Sequence, residues 1–372
     1  MSAPALDIKA ARVSRELTHD RQLFRAQFSP DGRTIAAGGQ DQRVHVWELD
    51  GEAPAKKSFD GHRTWVSALA FHPEGKQLFT ADFHGVIHCW DYEGSTAGGP
   101  RWTIPGAGSG NDNVRALAVT PGGRYLVSAG DDAIVKVWNA ADGQPVARLE
   151  GHRECIFALA ISPDGQHLVS GDLLGSVRQW LIGGEGAEGG GDGDAWNPVR
   201  EFDARLLHTR KDDFLADVGG VRSLAFSRDG RWLAAGGMKE AESNAFCPGK
   251  PVVLVFDWKS GAVKTELRIT GKSDGPFNAL CFLEDGTLAG HTELLHSESE
   301  LTFWHIDEPE PLHSVSNHSA YDLSLHPDGR QLLAAGYHPG GSTGNGAQKR
   351  FAEKYLPNGA ALRIFSLFTQ PD

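Results

Sequence analysis

The sequence predicts an all-β fold made of one repeated hairpin unit, on three observations. A four-residue turn ending in glycine starts at Ser29, His72, Thr120, Ser162, Ser227, Leu283 and His326, at spacings of 43, 48, 42, 65, 56 and 43 residues. Short apolar runs flank these turns. An aromatic residue closes a later strand in each copy: Trp47, Trp90, Trp138, Trp180, Phe256, Trp304 and Phe365. A period of this length marks a repeat architecture, which overrides the domain count that 372 residues would otherwise suggest.

The clearest copy, Ser29-Pro30-Asp31-Gly32, shows why the unit forms. Proline presets one turn dihedral, aspartate bonds its own backbone, and glycine accepts a positive φ. Residues 23–28 and 34–39 alternate on either side as a hairpin, and residues 44–47 supply a third strand. Abundant glycine (46) and proline (19) fit a chain of many turns, and 40% hydrophobic residues suffice for a core. Where the spacing stretches, the chain carries insertions: 205–219, 237–250, 291–299 and 336–358, with 182–197 reading as a flexible acidic linker loop.

Two further markers complete the repeat. A Gly-His pair precedes the first strand at Gly61-His62 and Gly151-His152, with His19 and His318 as partial copies. Cys89-Trp90-Asp91 carries the Trp-Asp dipeptide at a strand end. Together these residues resemble the WD-repeat β-propeller family over nearly the whole chain. The resemblance implies a seven-bladed β-propeller of four-stranded antiparallel blades around a central channel, forming a single domain over 1–372. Its blade repeats would fall near 18–59, 60–105, 106–150, 151–204, 205–269, 270–317 and 318–368 plus 5–17. A strand at 5–12 pairing with one at 361–367 would close the ring and remove exposed sheet edges.

The family's tetrad of His, Ser/Thr, Asp and Trp reads as incomplete in every copy. Six and ten residues before each Trp stand Asp41 and Ala37, His84 and Thr80, Asp132 and Ser128, and Leu174 and Ser170. Apolar packing and ring closure are therefore expected to hold the blades more than these networks do. Family geometry puts the proline-type turns on one face. It puts the insertions of blades five to seven on the other, as one raised sector.

A net charge of −12 argues against nucleic acid as partner, since phosphate binding relies on Lys and Arg. Cys89, Cys155, Cys247 and Cys281 show no paired spacing and read as reduced thiols. With no signal peptide and no span-length apolar run, a soluble cytoplasmic protein is expected, either a monomer or a subunit of a complex. No cofactor, metal or catalytic residue is expected. His291, Glu293, His296 and Glu298 lack metal-ligand spacing, and the glycine-rich stretch 340–350 lacks the Gly-Lys-Ser/Thr ending of a phosphate loop.

Comparison of the repeats separates scaffold from decoration. One register of the first strand is core: Ala26, Leu69, Leu117, Leu159, Leu224, Leu280 and Leu323. Two residues earlier the register reads Phe24, Ser67, Arg115, Phe157, Arg222, Asn278 and Tyr321. A position needed only for packing would look alike in all blades. Arginines mixed with aromatics suit a binding hot spot, so Phe24, Arg115, Phe157, Arg222 and Tyr321 are the candidate partner site at the channel mouth. The long loop adds Tyr337, Lys349, Arg350, Phe351 and Tyr355, and residues 205–219 offer His208, Arg210, Lys211 and Phe214. The expected function is a non-catalytic scaffold for a peptide or protein partner. The alternatives are an enzyme or small-ligand binder using the central channel, or an RNA- or DNA-binding module.

Overall fold

The computed structural model describes residues 6–51, 54–94, 98–106, 112–183, 196–242, 249–269, 275–292, 299–317, 320–337, 350–351, 354–355 and 359–368. Seven four-stranded antiparallel sheets follow one another along the chain. In the first, Leu23–Phe28, Thr34–Gly39, Arg43–Glu48 and Ala55–Asp60 pair in chain order. The next five repeat this pattern from the inner strands Val66–Phe71, Val114–Val119, Ile156–Ile161, Ser223–Phe226 and Phe277–Phe282. The architecture is a seven-bladed β-propeller, and helix among the described residues is confined to short 3-10 turns such as Ile8–Ala10 and Arg205–Leu207.

The seventh blade closes the ring. Its strands Ala320–Leu325, Gln331–Tyr337 and Ala360–Ser366 are completed on the outside by Arg12–His19. Arg363, 4% exposed, donates from Nε to Glu16 across this junction at 2.8 Å. Closure by the two chain ends is as expected, but the N-terminal strand lies further along than 5–12. The apolar residues that suggested the earlier position, Leu6, Ile8 and Ala11, instead pack against the cluster of Leu323, Leu332 and Phe365. An outermost strand has one face in water, so the true strand is the more polar stretch.

The core is layered between blades. Each major apolar cluster joins two neighbours. Phe59 and Val44 of blade one meet Leu69 and Trp90 of blade two, and Leu23 and Ile35 of blade one meet Leu333 and Leu362 of blade seven. Burying one face of each sheet against the next is how a repeat that cannot fold alone becomes stable in a ring.

The turns do more than reverse the chain. Ser29 Oγ donates to Asp31 at 2.6 Å and accepts from the Thr34 amide at 3.0 Å, and the same pattern recurs at Ser227. The Ser29 hydroxyl holds the Asp31 carboxyl below its usual range. Two turns also bridge blades: His326 Nε2 bonds Gly32 O, and His72 Nε2 bonds Gly123 O, each at 3.0 Å. Gly32 and Gly123 have φ of 73° and 72°, and an added Cβ would run into the bridging imidazole.

Two tetrads are complete, against expectation. His62 reaches Asp82 at 2.9 Å and Thr80 at 2.7 Å, and Trp90 Nε1 donates to Thr80 at 2.8 Å. His152, Asp172, Ser170 and Trp180 repeat this at 2.7, 2.7 and 2.8 Å. The aspartate stands eight residues before the tryptophan, at the end of the second strand, and not six. From there it also accepts the turn amides of His84 and Val86, or of Leu174 and Ser176. Asp132, at the six-residue position, pairs with Lys136 instead.

Candidate functional site

The channel mouth is built by a repeated defect in the inner strands. In six blades the pairing of first and second strands skips one residue: Phe24, Ser67, Arg115, Phe157, Asn278 and Tyr321. In blade five the inner strand begins just after Arg222, whose amide donates to Gly236 O at 2.8 Å. A bulge bends its strand and re-aims a side chain. Six of the seven members of the variable register are thus residues released from the ladder, and Arg222 stands just ahead of its strand with its amide still bonded across the pair. The next position shows what the scaffold alone requires: it is alanine in four blades (Ala68, Ala116, Ala158, Ala279).

Two sectors result. In blades three to five, the guanidinium carbons of Arg115 and Arg222 lie 4.8 and 3.9 Å from the centroid of the buried Phe157 ring. Arg115 is also paired with Asp131, and Arg222 donates to Gly219 O at 2.7 Å. In blades seven, one and two, Phe24 packs against Tyr321 at 5.4 Å and Trp65 at 5.5 Å, and Trp65 meets Phe83 at 5.5 Å. Phe83 is 37% exposed. Ser67 serves packing, donating to Val114 O of the next blade at 2.5 Å.

Arg25 joins the sectors. Its guanidinium donates to Tyr321 O at 3.2 Å and to Arg115 O at 3.4 Å, linking blades seven, one and three. Beside it, Asp322 accepts from the amides of Ala26 and Leu323, each at 3.1 Å. Burial pushes the Asp322 carboxyl up to about 6, against the pull of Arg25. Arg25, Trp65, Phe83 and Asp131 were missed by comparing one register. Arg25 follows the bulge, and the other three flank the strands. An aromatic that follows a strand end in a polar turn, as Phe83 does, was the available signal.

The other predicted residues are placed as follows. Tyr337 ends the second strand of blade seven, and Arg350–Phe351 pairs with Lys354–Tyr355 as a small hairpin. Lys349 lies outside the described residues, as do Glu293, His296 and Glu298. His291 is not an insertion residue: it lies buried in the strand Leu288–Thr292, where burial lowers its imidazole to about 4. Residues 205–219 fold into a hairpin of His208–Lys211 with Ala216–Gly219, in which Asp217 binds His208 at 2.7 Å and Arg210 at 2.8 Å. The 237–250 insertion lengthens its hairpin as far as Lys239 opposite Lys250. The ends of the 182–197 loop are core and not linker, since Ile182 and Trp196 are buried beside Tyr125.

One group among the described residues assembles potential metal ligands: His19, Asp41 and His45, with one ligand atom each within 4.8 Å. Both Nε2 atoms meet one Asp41 oxygen, at 3.0 and 2.7 Å, while His45 Nδ1 meets Ser58 Oγ and His19 Nδ1 faces Lys56 Nζ at 2.9 Å. Both imidazoles meet the Asp41 carboxylate through Nε2, so the trio closes as hydrogen bonds. Burial works to raise the Asp41 carboxyl, but the bonds from His19 and His45 prevail and hold it far below its usual range. It replaces the tetrad that blade one lacks. On the turn-bearing face, a cleft of about 380 Å³ between blades five and six is lined by Trp232, Lys264, Glu284 and Asp307. Its charges are matched internally, Lys264 with Asp307 and Arg228 with Glu284.

Five segments, 13–48, 54–91, 98–139, 143–180 and 212–239, match the family model for the WD domain, G-beta repeat. With seven four-stranded blades, the chain belongs to the WD-repeat family. Similar curated proteins include nuclear distribution protein PAC1-1 of Uncinocarpus reesii, 30% identical over 33% of this chain and 31% of its own. A 66 kDa stress protein of Physarum polycephalum is 27% identical over 42% of this chain and 25% of its own. A chromatin assembly factor 1 subunit FAS2 homolog of Oryza sativa subsp. japonica is 30% identical over 38% and 30%. The matches thus span a quarter to a third of these relatives. WD-repeat propellers typically act as scaffolds in protein complexes and are generally non-catalytic. No described helix is long and apolar enough to cross a membrane.

Proposed function

We propose that this propeller is a non-catalytic docking platform which seats a peptide or protein partner at the channel mouth, on the face that carries the insertions. One observation carries the reading. At the bulge, where the ladder makes no demand on the side chain, the blades carry Phe24, Arg115, Phe157 and Tyr321, with Arg222 at the matching position of blade five, the residue types that dominate interface energetics. The hairpin of His208–Lys211 with Ala216–Gly219 adjoins that centre, since Arg222 donates to Gly219 O. The whole chain, 1–372, acts as one domain in this reading, in the cytoplasm, as the free thiols Cys89, Cys155 and Cys281 favour.

The test compares affinity capture from a cell extract by three proteins. These are the wild type, a mouth variant (Arg115→Ala, Arg222→Ala, Tyr321→Ala) and a variant of the opposite face (Arg33→Ala), each checked by its melting curve. Partners held by the first and third and lost from a folded second support the reading. Equal capture by all three contradicts it.

A further inference from the structure

Taking the mouth to be the docking site, we infer that it selects a partner segment bearing an anionic side chain, carboxylate or phosphoryl, near an aromatic or branched apolar residue. The charge pattern carries this. The chain has 48 acidic against 36 basic residues, yet the bulge and following positions of the seven inner strands hold Arg25, Arg115 and Arg222 against the single Asp322. Asp131, flanking these strands, offsets Arg115, and the positions themselves still reverse the global sign through Arg25 and Arg222.

The three guanidinium groups are also held in place. Arg115 and Arg222 rest on one ring, whose negative faces offset their mutual repulsion. Arg25 is fixed by two main-chain carbonyls. A planar guanidinium fixed in advance matches the paired oxygens of a carboxylate or phosphoryl group, and little ordering entropy remains to be lost. Around the ring from this cationic sector, the chain of Tyr321, Phe24, Trp65 and Phe83 offers apolar contact for the neighbouring residue. A nucleic-acid backbone fits less well. It needs a long basic track, and the net charge of −12 repels one.

The test pans a random twelve-residue phage-displayed peptide library over the immobilised full chain, as wild type, Arg222→Gln, Arg222→Lys and Phe24→Ala, with melting curves for each. Wild-type winners should combine Asp or Glu with an aromatic or branched apolar residue. Their binding should drop about tenfold in Arg222→Gln, be only partly kept in Arg222→Lys, which retains the charge but not the planar fork, and weaken in Phe24→Ala. The best winner is then resynthesised with its acid as Glu, phosphoserine or Gln. Loss with Gln supports the inference, and tighter binding of phosphoserine or of Glu assigns the source of the anion.

Winners that need Phe24 but carry no acid, or carry Lys or Arg, overturn this inference and leave the docking site standing. Winners indifferent to every substitution, or no enrichment at all, overturn both. A single-stranded oligonucleotide that outcompetes every peptide at the mouth overturns the inference in favour of nucleic acid.

Discussion

Asp82 and Asp172 each bind a buried histidine with one oxygen and two turn amides with the other, so a single carboxylate fixes a turn, a strand end and an imidazole. Removing it strands a buried donor at His152. Asp172→Ala should therefore cost about 2–4 kcal/mol. Asp132→Ala, which loses a partly buried pair with Lys136 and one turn amide from Ile134 but strands no buried imidazole, should cost about 1 kcal/mol. Chemical denaturation of both variants checks the contrast, and equal losses would contradict it. The histidine, hydroxyl and tryptophan of these networks were legible in the sequence. The aspartate was not, because it was sought in the turn, and Leu174 at that position hid Asp172 two residues earlier.

Elements were legible wherever one strand's pattern suffices: the turns, the alternating runs and the closing aromatics all fall where the repeat puts them. The bulge was not, since it is a mismatch between two strands and neither shows it alone. Blade-to-blade bridging was hidden for the same reason. The His72 turn looked like a spelling variant of Ser29-Pro30-Asp31-Gly32, yet its ring reaches the next blade. Gly123 and Gly286 test this. Both have positive φ, but an added Cβ at Gly123 meets His72 while at Gly286 it meets nothing within 4 Å. Ala at Gly286 should cost about 1 kcal/mol for backbone strain alone, and Ala at Gly123 should cost more by a similar amount or greater. Thermal melts compare them, and equal shifts would remove the bridge from the account.

At the scale of the molecule, stability should fall with acid before ordinary carboxylates titrate. Burial, with His62 nearby, lowers His88 to about 4, where it also faces Asp82 and Thr103. Burial lowers His291 to about 4 beside Arg363. The unfolded chain takes up these protons near pH 6.5 and the folded one only near 4, so stability present above 6.5 is lost as pH falls through that window. Asp322 works the other way. Raised to about 6 by burial, it favours the fold below its ordinary value of 3.8 and loses that contribution as pH rises through 6. His45 and His167, also lowered by burial, act in the same sense as His88 and His291, so the histidines outweigh Asp322 and the net is a loss of at least about 4 kcal/mol between pH 6.5 and 4. Denaturant midpoints across that range check it, and a flat profile would contradict it.

The ring itself was legible because seven copies of one signal average out individual departures. The proposed site was half legible. Register comparison finds Phe24, Arg115, Phe157, Arg222 and Tyr321, while Arg25, Trp65 and Phe83 join them only through contacts made across blades. The docking claim is tested most directly by a photo-reactive benzoylphenylalanine placed in turn at Trp65, on the mouth, and at Arg33, on the opposite face. Irradiation in cells should give partner adducts from position 65 and none from position 33. Adducts from position 33 alone, or equally from both, would contradict a partner seated at the channel mouth.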